Sequence, residues 1–264
     1  MSGPVRGPVP TFAAVALLAA CQSPALVRTA RTLPAGGNDL SLTVAVTRVS
    51  FPDVVVEGTR VPIEDFTLPS PIPDVLYAHG LSDDLELGGR LSLGSGLIEA
   101  QSKWRFIQAA QGTLHVALAP AVGYRVLALV NGPVLTLPLL VTYDLSPDVS
   151  LSAGALLSYA SYSVPDSFRF DDDLDLSGQT LYAGGGLGIE LRPAWGLHVM
   201  PAVELQRSVS RRGDATDLPA IDLLIFGVTF GWGSQRPDPA RHEPETEVDI
   251  EVDVEPPPEA LPVE

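Results

Sequence analysis

Between residues 39 and 232 the sequence repeats one pattern. An apolar residue alternates with a polar or small one, in runs of about ten residues or more. Residues 85–93 display it most plainly. Leu85, Leu87, Leu91 and Leu93 fall in one phase, and Glu86, Gly88, Arg90 and Ser92 in the other. Successive side chains of a strand point to opposite faces, so each such run makes a ribbon with one oily face. Residues 97–108 repeat it, with Ile98, Ala100, Trp104 and Phe106 against Glu99, Gln101, Lys103 and Arg105. Runs at 113–125, 134–144, 149–162, 178–192, 195–208 and 218–232 follow, and 40–49 and 75–81 are weaker versions. The pattern predicts an all-β chain of about ten antiparallel strands, with eight as the lower count.

Strand length and face chemistry choose among all-β architectures. Strands of globular domains run about five or six residues, whereas one crossing a bilayer needs about 9–11. The polar faces are crowded with small residues, among them Ser150, Ser152, Gly154, Gly184, Gly186 and Gly188. Their charged and imidazole groups carry both signs: Glu86, Arg90, Glu99, Lys103, Arg105, His115, Glu190, His198 and Glu204. A water-facing sheet would carry more lysine and glutamate. A narrow lumen suits small residues and paired charges. The expected fold is therefore an up-and-down transmembrane β-barrel, oily side outward, with those nine residues forming a polar network in the bore. A lipid-anchored soluble β-sandwich, oily side inward, is the rival fold.

The connections support the barrel. Short ones at 82–84, 109–112, 146–148 and 193–194 alternate with longer ones at 51–74, 126–133, 163–177 and 209–217, with 94–96 as an exception. Short periplasmic turns and long outer loops are the rule for such barrels. Trp104, Tyr143, Trp195 and Trp232 fall near the short-turn end, and Tyr124 and Tyr159 near the other, as two aromatic girdles would require.

The flanks read differently. Residues 9–20 are a short apolar run after a single arginine, Arg6, which is the form of a secretory signal and too short to span a bilayer. The run ends in Leu18-Ala19-Ala20-Cys21, which resembles the bacterial lipobox. That resemblance implies lipidation of Cys21, the one cysteine of the chain. Residues 21–38 read as a linker and 39–233 as the barrel. Residues 234–264 read as a disordered acidic tail, rich in proline and without enough apolar surface to order itself.

The tandem strands resemble the bacterial outer-membrane β-barrel families. Gly227-Val228-Thr229-Phe230-Gly231-Trp232 is similar to the terminal signal read by the barrel-assembly machinery, although Ile225 replaces the usual polar residue and a tail follows. The resemblance implies a cell outer-membrane location, with membrane lipid and the assembly machinery as partners.

Function is less constrained. The chain has 32 Asp+Glu against 16 Lys+Arg, which disfavours nucleic acid. A basic periplasmic protein is a candidate partner for the acidic tail. No cofactor or metal is implied; Asp171, Asp172, Asp173 and Asp175 read as a solvated loop. There is no nucleophile-elbow or HExxH motif. The leading expectation is a non-enzymatic structural or interaction barrel with a largely plugged lumen. A narrow pore or a binder of a small hydrophobic ligand comes second. A hydrolase using His198 with Glu204 and a serine comes third.

Overall fold

The computed structural model describes residues 25–50, 54–56, 59–61, 65–69, 72–127, 130–163, 177–193, 196–213 and 221–233. The strands are β1 (Asn38–Ser50), β2 (Val54–Val56), β3 (Thr59–Val61), β4 (Phe66–Pro69), β5 (Asp74–Ser82), β6 (Leu85–Ser92) and β7 (Leu97–Ala109). They continue with β8 (Leu114–Leu118), β9 (Ala121–Leu127), β10 (Val130–Ser146), β11 (Val149–Ser163), β12 (Ser177–Leu191), β13 (Leu197–Gly213) and β14 (Asp222–Gly233). β2 and β3 pair with each other as a small separate hairpin. The others form one antiparallel sheet that closes on itself, from β1 round through β5, β6, β7 and β10 to β14.

Ten staves make the wall, because two are interrupted. β4 and β5 pair with successive parts of β1. β8 and β9 lie end to end between β7 and β10. The break falls at Pro120, which has no N–H to donate, but its carbonyl still accepts from Ser102 at 3.0 Å. The seam between first and last strands is fully zipped, from Asp39 opposite Gly233 to Ser50 opposite Asp222. Among the described residues no long strand of the barrel is left without a neighbour on either side, which removes the liability of unpaired edges.

The alternation has the polarity of a barrel in lipid. Leu87, Leu137, Leu187 and Phe230 are 46%, 43%, 65% and 42% exposed, so these leucines and phenylalanine do not converge on a dry centre. The opposite phase is buried: Ser41, Glu86, Glu99, Lys103, Thr142, Ser150, Glu190 and Glu204 all turn inward. Along β10 the outward-facing Leu135, Leu137, Leu139, Tyr143 and Leu145 are all exposed. Ten residue steps at about 3.3 Å, tilted by about 40°, give a belt about 25 Å tall, the height of a bilayer's apolar core in these proteins.

Some connections differ from the expectation. β9 and β10 pair right up to Leu127 opposite Val130, so most of the connection expected to be long at 126–133 is strand. Asn131 and Gly132 pair with Val126 and Arg125 of β9, so this polar pair does not end the strand. The loop expected at 51–74 contains the β2–β3 hairpin and β4, which extends the second stave. The short turn expected at 193–194 leads through Gly196, which has positive φ (74°), into β13.

Candidate functional site: an occupied bore

The described stretch of the segment read as a linker does more than tether the barrel. Residues 25–33 lie inside the bore, almost all buried, and the chain then leaves by the short-turn end. The backbone of Gly36 donates to the Gly80 carbonyl at 2.8 Å there, and β1 begins two residues later. No residue in this stretch is charged except Arg28 and Arg31.

An extended chain inside a barrel has unpaired backbone donors and acceptors, and each must find a partner. The wall supplies them. Glu204 accepts from the N–H of both Ala25 and Leu26 at 3.0 Å. Gln206 donates to the other oxygen of the same carboxylate. Thr142 accepts from the Ala30 N–H at 2.8 Å and lies 2.9 Å from the Ser152 hydroxyl. Glu86 accepts from the Leu33 N–H at 3.1 Å, and Lys103 donates to the Thr29 carbonyl at 3.3 Å. Lys103 and Glu86 pair with each other at 2.8 Å. Thus four charged or polar wall residues do for the segment what a neighbouring strand does elsewhere.

Both arginines of the segment are held by side chains of the wall. Arg31 pairs with Asp144 at 2.8 Å, contacts Glu190, and donates to Ser150 at 3.0 Å. Asp144 also meets His115 at 3.2 Å, and Arg192 donates to Ser150 at 2.7 Å. Arg28 donates to Gln101 and, at 3.1 Å, to the Ala119 carbonyl. Beside it Arg90 pairs with Glu99 at 3.0 Å. The segment's apolar side packs with Ala117, Ala119, Leu140 and Leu156.

The small residues of β11 and β12 acquire a reason. A Cβ on Gly154 would come within 2.7 Å of Leu26, and one on Gly186 within 3.2 Å. These glycines leave the space that Leu26 fills.

Eight of the nine residues expected in the bore network line the bore. Arg105 does not join it. β7 bulges between Arg105 and Ile107, and the guanidinium instead clamps the inner turn, donating to Asp84 at 2.7 and 3.0 Å. The bulge also brings Phe106 and Ile107 to the outside together. The expected pairing of His198 with Glu204 is replaced. Glu204 serves the segment, and His198 lies 3.6 Å from Asp39 and 3.5 Å from Ser41. Serine, histidine and aspartate thus meet, but the Ser41 hydroxyl donates to Asp39 at 2.5 Å. The cavity beside them holds about 20 Å³, room for one water.

Trp104, Tyr143 and Trp232 are exposed near the inner end and Tyr124 near the outer, while Tyr159 is half-buried. Tyr77, exposed and donating to Asn38 at 2.6 Å, joins the inner group; its strand's weak alternation hid it. Trp195, Cys21, the acidic tail and the Asp171–Asp175 cluster lie outside the described residues. Among the described residues, charged residues on the outward phase stand at the outer rim, where Arg48 pairs with Asp65 at 2.8 Å and Arg207 with Asp222 at 3.5 Å. They mark where the apolar belt stops.

An apolar belt of bilayer height, aromatic residues near its margins and a polar bore are together the reverse of a water-soluble sheet. The chain is a β-barrel with the polarity of one that spans a membrane.

No protein-family model matches the barrel's sequence, and no curated protein sequence matches it. Solved structures similar to this barrel include the COG4313 outer membrane channel from Pseudomonas putida F1, at 11% identity and TM-score 0.42, covering 80% of this chain and 99% of that one. The N-terminal β-barrel domain of Pseudomonas aeruginosa OprF has 11% identity and TM-score 0.34, covering 75% and 98%. The Pseudomonas putida toluene transporter TodX has 9% identity and TM-score 0.31, covering 79% and 96%.

Proposed function

We propose that this protein is a closed outer-membrane barrel whose lumen is stoppered by its own N-terminal segment, so that the resting molecule does not conduct. The observation that carries the reading is the seating of residues 25–33, with backbone donors bound by Glu204, Thr142 and Glu86 on different sides of the wall. Eight strands leave a bore that side chains alone nearly fill. Ten leave room for one more extended chain, and here that chain is present.

The same seating bears on Cys21. Four residue steps lead from it to Ala25, a reach of at most about 14 Å. Ala25 is fixed at Glu204, seven residues along β13 from Leu197. At the tilt of such strands that is about 18 Å up the bore. A lipid on Cys21 seated in the inner leaflet and a segment seated in the bore therefore exclude one another, and we assign the closed form to chains without that anchor.

Conductance in planar bilayers tests the stopper. The full chain is expected to be silent. The chain carrying Leu26→Ser, Arg28→Ser and Arg31→Ser together, its folding checked by heat-modifiable gel migration, is expected to open in discrete steps. Equal conductance from both proteins would overturn the reading.

A further inference from the structure

We propose that the bore, once its segment withdraws, is a conduit selective for small cations, and that Arg28 and Arg31 stand where permeating cations would reside. The inference rests on the stoppered-bore reading and adds what the vacated bore would pass.

Each of the two arginines stands among wall charges that carry one carboxylate too many. Around Arg31 the wall sets Asp144 and Glu190 against Arg192, which lies 3.5 Å from Asp144 and 3.7 Å from Glu190. Around Arg28 it sets Asp74 and Glu99 against Arg90, and all four side chains line one small cavity. Between these two sets Glu86 is matched by Lys103. Asp39 beside them and Glu204 further out add two negative charges, and Arg125 and Arg211 toward the outer end add two positive ones. The described wall thus comes to seven carboxylates and five permanent cations, and the segment's two arginines close the difference.

A conduit needs room as well as charge. The vacated path is as wide as one extended chain, close to the 4.7–4.9 Å spacing of neighbouring strands. It would be lined in part by carboxylates already stripped of most bulk water. Rings of aspartate and glutamate at such constrictions are the usual source of cation selectivity. The wall shows its preference in the closed state, where a guanidinium occupies each carboxylate-rich set.

The Leu26→Ser, Arg28→Ser, Arg31→Ser chain tests this under a potassium chloride gradient across the bilayer. The reversal potential is expected on the potassium side, with potassium favoured severalfold over chloride. Adding Asp144→Asn and Glu190→Gln to the same chain is expected to move it towards zero while steps persist. Open steps with no preference, or a preference for chloride, would overturn the cation assignment and leave the stopper standing. A folded variant that stays silent would overturn both.

Discussion

On β10, Leu137 and Thr142 face opposite ways within one strand. Leu137 looks out at the membrane and needs only to be apolar. Thr142 is wholly buried and bonded to Ala30, more than a hundred residues earlier in the chain, and to Ser152 on β11. The belt and the bore of this barrel differ in the same way throughout. The belt is built from residue class, repeated with period two, and tolerates exchange among leucine, valine and aromatics. The bore is built from particular partners, and its specification is shared between the wall and a segment outside it. Changes in the belt should therefore act through lipid transfer and changes in the bore through lost partners.

The sharpest way to strain the comparison is at Asp144, which serves Arg31, His115 and Ser150 at once. Asp144→Ala should cost about 3–5 kcal/mol of folding stability, the scale for breaking a buried ion pair. Urea unfolding in vesicles would measure it. Next in size is the belt: Leu187→Arg should cost about 2–4 kcal/mol in the same assay, the scale for arginine near a bilayer midplane, whereas Leu187→Val should be nearly silent. Glu204→Ala strips the acceptor from two backbone donors and should cost about 1–3 kcal/mol, with Glu204→Gln recovering part because it retains a carbonyl oxygen. A belt residue would not distinguish alanine from glutamine in that order.

The rim pair should give the smallest effect. Hydrogen bonds from Arg48, and then from Ser50, hold the rim carboxyl of Asp65 below its ordinary range. A lowered carboxylate pKa contributes above the unfolded value and is lost as pH falls through the folded one. Arg48→Ala should therefore leave stability at neutral pH within the noise of an exposed pair and remove only a slight acid-side dependence.

The same contrast explains what could be read from residues alone. Alternation exposes the belt because lipid imposes one demand at every second position of every strand. It also assigns Glu86, Glu99, Lys103 and Glu190 to the bore by phase. Phase cannot say what those residues bind. The segment at residues 25–33 has no period, one short apolar side and prolines on its flanks, so by its own composition it reads as a tether. Its order comes from Glu204, Thr142 and Glu86, each more than fifty residues away along the chain. The glycines at 154 and 186 were the available signal. Both would bring a Cβ against Leu26 as well as against the neighbouring wall, so part of the space they leave is taken by the segment. Arg105 keeps the inward phase opposite the buried Ala117, but alternation could not show that its guanidinium reaches Asp84 of the inner turn.

The most direct test of the occupied bore is the accessibility of Ala30, which is fully buried against the Thr142 wall. With Cys21→Ser removing the native thiol, Ala30→Cys in intact membranes should resist a water-soluble maleimide until the barrel is unfolded by heat, while Leu81→Cys, exposed at the inner end of β5, labels at once. Prompt labelling of Ala30→Cys in a barrel that still migrates as folded would contradict the account.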